Sequence, residues 1–234
     1  MTGSNPTPAP KHARKTPGYL TAEQTRRVYD RIGRIQDLQA AYEHRAITTL
    51  LAHSDFAHAH AVCELGHGTG ALAERLLRDQ LPSDARFSGI DISPRMHELA
   101  TRRLKAYAEQ VELRLDNALP VLPYPDASFD RFLAAYVLDL LSPDDIARAF
   151  DEAHRVLVAG GLLCLASLAA GTTRPSRLLT HAWQALWSLK PTLVGGCRPI
   201  TITNHLDRAA WTLRHHQTVT TLAITSEVVV AARV

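Results

Sequence analysis

Glu64 stands two residues before Gly66 in the run VCELGHGTG, where glycines at 66, 68 and 70 bare the backbone behind a short apolar segment. Glycine takes positive φ and lets a ligand approach the main chain, and the N–H groups opening the next helix favour a negative group such as a carboxylate. Glu64 could balance an ammonium there and would repel a pyrophosphate. Asp91 sits in GIDIS, where it could accept both hydroxyls of a ribose, and Asp116-Asn117 could address the edge of an adenine and its exocyclic amine. Counted as Gly66, Gly68 and Ala71, the same turn also satisfies the dinucleotide fingerprint, so an NAD(P)-dependent oxidoreductase stays a rival reading.

These residues need a frame that brings them to one edge. Ala61 to Leu65 reads as a buried strand, the glycines as a turn, and Ala71 to Asp79 as a helix. Phe87 to Ile92 is the next strand. Ser93-Pro94 then supplies an N-cap and a proline in the first helical turn, with Met96, Leu99, Ala100 and Leu104 on the inner face. Val111 to Leu115 and Phe129 to Tyr136 follow as strands, and Ser142-Pro143 opens a second capped helix that ends near Leu157. After a turn at Ala159-Gly160-Gly161, Leu162 to Leu168 is a fifth strand. Strands alternating with helices at this spacing predict a Rossmann-like, doubly wound α/β sheet. A helix over 176–189, a turn-rich loop over 190–199 and a short helix near 204–210 come next. Two β-rich segments joined by a Thr225-Ser226 turn then close the chain as an antiparallel hairpin, making seven strands.

Composition sets the outer limits. The 234 residues are 46% hydrophobic, enough for a sizeable core, and 26 basic against 23 acidic residues leave a surplus placed partly in the first fifteen positions. No nucleic-acid partner is expected. Residues 1–18 read as a flexible tail without an apolar h-region, and residues 19–55 as a helical cover on the domain over 56–234. No run reaches the length of a membrane span. Cysteines 63, 164 and 197 show no CxxC spacing, so a reduced, cytoplasmic setting is expected. His58 and His60 form an H-x-H, but no Cys or carboxylate at ligand spacing accompanies them, and no metal is expected. The expected assembly is a monomer or homodimer.

Taken in order, ELGHGTG, GIDIS, LDNALPVLPYPDASFDRF and HRVLVAGGLLCLASL resemble the successive motifs of class I S-adenosylmethionine-dependent methyltransferases, in the branch with the ubiquinone/menaquinone-biosynthesis type. The resemblance covers roughly residues 60 to 170 and implies S-adenosyl-L-methionine as cofactor and a small-molecule acceptor. It puts Gly66, Gly68 and Gly70 around the methionine and ribose, Glu64 toward the amino group, Asp91 at the ribose hydroxyls, Ile92 on an adenine face, and Asp116 and Asn117 at its edge. Ala135-Tyr136 falls near the sulfonium, and Tyr29-Asp30 matches a pair that folds over the cofactor. His67 departs from the pattern and is expected to point away from the turn.

Methyl transfer is an in-line displacement that needs a base only when the acceptor is protonated or a poor nucleophile. Tyr136 and Asp139, in AAYVLDLLSPDD, follow the fourth strand on the side where the acceptor must approach, and are the catalytic candidates. An insertion over about 172–205 reads as a substrate lid, with Trp183 as a wall and Arg198 as a partner for an acidic group of the acceptor. A protein that holds S-adenosylmethionine without turnover is the non-enzymatic alternative.

Overall fold

The computed structural model describes residues 19, 23–24, 36–116 and 118–234, with side chains from residue 42 onward in the first helix. The expected tail 1–18, the Tyr29-Asp30 pair and Asn117 lie outside the described residues.

Seven strands form one sheet in the order β3-β2-β1-β4-β5-β7-β6. They are β1 (Ala61–Leu65), β2 (Arg86–Asp91), β3 (Val111–Leu115), β4 (Phe129–Ala135), β5 (Leu157–Ala169), β6 (Trp211–Thr221) and β7 (Ile224–Arg233). The first five run parallel, and β7 is antiparallel to both β5 and β6. The doubly wound sheet with a terminal hairpin is therefore the observed fold. Its strand order reverses between β1 and β4, where a crevice opens at the carboxyl ends of the strands.

Alternation along the strands sorts the core onto two faces. Cys63, Leu65, Ile90, Phe132, Leu163 and Leu165 pack against Ile146, Ala149, Phe150, Ala153 and Val156 of α4 (Pro143–Val156). Val62, Phe87, Leu133, Cys164 and Val230 pack against α1 (Gln36–His53) and α2 (Ala71–Asp79). Burying each of the larger side chains contributes about 1.5–3 kcal/mol. Both expected caps form: Ser93 Oγ accepts from Met96 N ahead of α3 (Pro94–Arg103), and Ser142 Oγ accepts from Asp145 N ahead of α4.

Three details differ from the sequence reading. Strand β5 begins at Leu157, directly after α4, and the glycines expected to form a turn sit within it as an irregularity where the β4 register passes from Phe129↔Leu157 to Arg131↔Leu162. The hairpin turns at Leu222-Ala223, not at Thr225-Ser226, because both of those residues take left-handed φ (52° and 64°) and a two-residue turn of that hand matches strand twist. In place of the helix near 204–210, a 3-10 turn spans Ile202–His205. The segment after β5 carries α5 (Arg174–Leu189), capped by Thr173 and Ser176 in a reciprocal box.

Candidate functional site

The glycine turn is held by β2 rather than by its own helix. Gly68 N donates to Asp91 Oδ2 at 2.9 Å, and Ser93 N donates to Asp91 Oδ1 at 2.8 Å, so one carboxylate ties the turn after β1 to the turn after β2. Gly66 N donates to the Ile90 carbonyl and Gly70 N to the His67 carbonyl. All three glycine amides are thus engaged within the protein. Gly66 has φ +73°, and a Cβ there would collide with Val137 Cγ2, so glycine is what keeps this floor open.

Above the turn lies a cleft enclosing about 1200 Å³, its open mouth included. The structure brings Gly66, Gly68, Asp91, Ile92, Ala135, Tyr136 and Asp139 together in its wall, seven positions that the sequence reading named. They come from the ends of β1, β2 and β4, so the shared edge follows from the parallel register. Met96, Leu119 and Pro120 line the same cleft. On its far side stand Tyr42, Glu43, Leu140, Leu141, Leu168 and Cys197.

Tyr42 and Glu43 were missed. They form a tyrosine–acid pair on α1 further along the chain than Tyr29-Asp30, and the only sequence signal is that pairing within AYEHR. Burial raises the Glu43 carboxyl to about 7, with a hydrogen bond from Tyr42 opposing the rise. Asp139 is 1% exposed, and neither of its oxygens accepts a hydrogen bond of ordinary geometry, though the backbone N–H groups of Asp139 and Leu168 lie near. Burial pushes its carboxyl up to about 7, and repulsion by Glu43 adds to the rise, while Arg198 and nearby backbone N–H groups pull against it. A carboxyl poised there can take up a proton at neutral pH.

Tyr136 is differently placed. Its φ of +56° is left-handed for a residue with a side chain, and its hydroxyl is joined to Ser226 Oγ at 2.8 Å. Burial holds the phenol well above its ordinary value. With the hydroxyl tied to β7, this ring packs edge-on against Tyr42 and forms part of the cleft wall.

Five named residues do not line the cleft. Glu64 shares a sheet face with Val62, is 2% exposed, leaves Oε2 without a partner, and is raised to about 8 by burial and then by Asp91. Gly70 caps α2 at φ +75°, hard against Ala100 of α3. Asp116 accepts from Ala118 N in a local turn. The Trp183 indole donates to the Cys197 carbonyl at 2.9 Å, and Trp187 to the Gly196 carbonyl at 3.1 Å, so the pair fastens the loop after α5. Arg198 donates to the Leu141 carbonyl and lies over the Tyr19 ring at 5.0 Å. The arginine expected to meet an acidic acceptor instead directs its guanidinium to the Leu141 carbonyl and stands outside the cleft lining.

His67 is 3% exposed and folds back onto the turn that it was expected to point away from. Its Nδ1 contacts the Gly68 carbonyl, and its ring packs on Gly89, where a Cβ would lie 3.1 Å from the His67 Cβ. Burial lowers its pKa. Arg103 reaches the Thr69 carbonyl and hydroxyl. His215 stacks on His53, and His216 meets the buried Glu227 at 2.9 Å. Among the described residues no group of His, Cys, Asp and Glu could hold a metal ion, and no helix is long and apolar enough to cross a membrane.

Comparison with known proteins agrees with this frame. Residues 62–161 match the family model described as a methyltransferase domain. The demethylmenaquinone methyltransferase of Tropheryma whipplei (strain Twist) is 34% identical over 154 residues, covering 62% of this chain and 59% of that protein. The chain thus spans under two thirds of the curated relative's length. The crystal structure of the cyclase SpnF superposes with a TM-score of 0.69 at 17% identity, over 92% of this chain and 97% of that one. Geranyl diphosphate C-methyltransferase from Streptomyces coelicolor A3(2), solved with Mg2+, geranyl diphosphate and S-adenosyl-L-homocysteine, gives 0.68 at 13% identity over 95% and 100%. At these identities the likeness shows the fold, and one fold hosts many reactions.

Proposed function

Taking residues 62–161 as a methyltransferase domain, we propose that the chain binds S-adenosylmethionine and transfers its methyl group to a small-molecule acceptor. The observation that carries the reading is Asp91 holding Gly68 and Ser93 at the strand-order reversal, with Gly66 open beneath. The donor supplies an activated methyl on a sulfonium carbon, and the cleft residues fit it. Asp91 keeps lone pairs for the ribose hydroxyls. Ile92, Met96 and Leu119-Pro120 offer an apolar slot for the adenine. Glu64, beneath the turn, is the nearby acid for an ammonium, whose charge would keep the carboxyl ionised despite its burial. Asp116 and Asn117 remain assigned to the adenine edge and Tyr29 to a cover.

In-line transfer moves positive charge from sulfur to the acceptor, so the protein's task is to align the two and exclude water. Leu140, Leu141 and Leu168 make the acceptor side apolar, and Asp139 is the base available to it. The helix α5 with its loop is the proposed lid.

Calorimetry with S-adenosylmethionine, S-adenosylhomocysteine and NADH tests the reading. Binding of the first two without NADH is the expected outcome, and binding of NADH alone overturns it.

A further inference from the structure

We propose that the acceptor is an amine, cationic in solution and apolar elsewhere, which pairs with Asp139 and is methylated on nitrogen. This rests on the methyl-transfer reading above. The cleft wall carries four carboxyl side chains, Glu43, Asp91, Asp139 and Asp145, and no Lys, Arg or His among the described residues that line it. That segregation stands out in a chain with more basic than acidic residues. Two of the four are already satisfied: Asp91 by the Gly68 and Ser93 amides, and Asp145 by the Ser142 hydroxyl and Arg148.

Asp139 is not. Both of its oxygens are buried, no side chain donates to either, and only the backbone N–H groups of Asp139 and Leu168 lie near them, while the nearest guanidinium, on Arg198, is directed to the Leu141 carbonyl and the Tyr19 ring. Around it are Glu43 and Tyr42 from α1, Tyr136 after β4, and Arg198 and Cys197 from the loop after α5. A buried carboxylate in that position needs either a proton or a cation with N–H donors. An ammonium supplies both charge and donors. A carboxylate or phosphate on the acceptor would instead add like charge to Glu43 and Asp139 and meet no cation in the wall. A phenol could hand over a proton but brings no charge to offset the second carboxyl. The raised carboxyls of Glu43 and Asp139 leave one of them free to accept a proton near neutral pH. Leu140, Leu141 and Leu168 would hold the apolar body.

The chemistry balances. The acceptor ammonium gives one proton to the Asp139 carboxylate, and the freed nitrogen lone pair bonds to the methyl carbon. The carbon–sulfur bond breaks with its electron pair left on sulfur, and positive charge passes to nitrogen. Asp139 then releases its proton to water.

The test uses the full chain loaded with S-adenosylhomocysteine and a matched set of probes: 2-phenylethylamine, 2-phenylethanol, 4-ethylphenol and 3-phenylpropanoate. The amine should bind at least about tenfold tighter than the two neutral probes, with the carboxylate weakest. Asp139→Asn should remove most of that preference and Glu43→Gln part of it, while S-adenosylhomocysteine still binds, which also certifies the fold. With labelled methyl donor, transfer to the amine should fall about 100-fold or more in Asp139→Asn. Preference for a phenol or carboxylate, no binding of the amine, or an amine preference untouched in Asp139→Asn overturns the proposal. Failure of S-adenosylhomocysteine to bind sinks the underlying function instead.

Discussion

Asp91 accepts the amide proton of Gly68 at 2.9 Å, so the end of β2 fixes the shape of the turn that follows β1. Since the same carboxylate also holds Ser93 N, Asp91→Ala orphans two amides at once. The expected outcome is a stability loss of about 2–4 kcal/mol, from two hydrogen bonds to a charged acceptor. Binding of S-adenosylmethionine should fall at least about 100-fold, and Asp91→Asn should retain part of both. Denaturant unfolding and calorimetry measure the two effects.

Gly66→Ala should close the floor of the cleft. The φ of +73° and the collision with Val137 act together, for an expected cost of about 1–3 kcal/mol. Val137→Ala added to Gly66→Ala should recover the steric part and leave the backbone strain. A double-mutant cycle by chemical denaturation separates them, and a cost unchanged by Val137→Ala would deny the collision.

The buried carboxyls should tilt stability with pH. Asp139, raised from 3.8 to about 7, binds more protons in the folded chain than in the unfolded one between those values. The contribution of Asp139 to folding stability is therefore fully present below about pH 4, is lost as pH rises through the window up to about 7, and is absent above it. Glu64 and Glu43 act in the same direction. Asp139→Asn should flatten its share of the slope and be more stable than the parent at pH 8, by on the order of 3 kcal/mol. Unfolding at pH 5 and pH 8 for both proteins decides it.

Trp183→Phe with Trp187→Phe should loosen the loop after α5. Each indole N–H contributes about 0.5–1.5 kcal/mol through its carbonyl partner, Cys197 or Gly196. Hydrogen exchange over residues 195–198 should quicken, with affinity for S-adenosylhomocysteine retained. Unchanged protection there would show the loop is held by something else.

Replacing Leu222-Ala223 with Asn-Gly should stabilise the chain. Both residues hold left-handed φ at a cost of about 1 kcal/mol each, and Asn-Gly takes that two-residue turn with little strain. The thermal midpoint should rise by a few degrees without altering ligand binding.

Much of the frame was legible because its signals are local. The spans of β1, α2 and β3 and the Ser93 and Ser142 caps follow from periodicity and capping chemistry within a few residues. The glycine turn and Asp91 were legible too, since the end of a parallel strand has a known place at the crevice. Glu43 was not, because nothing near Tyr42-Glu43 in the chain says that α1 lies beside the turn after β4.

By itself, then, the sequence determined the order of strands and helices, the capped helix starts and the residues on the strand ends facing the cleft. Tertiary structure alone decided the opposite wall of that cleft. It took Arg198 away to the Leu141 carbonyl and Tyr19, tied the Tyr136 hydroxyl to Ser226, and left Asp139 buried beside Glu43. Those outcomes depend on which polar groups meet across segments distant in the chain, and on which of them burial leaves without a partner. Hydrophobic periodicity carries no record of such meetings, because it orients a residue toward the interior without saying what waits there.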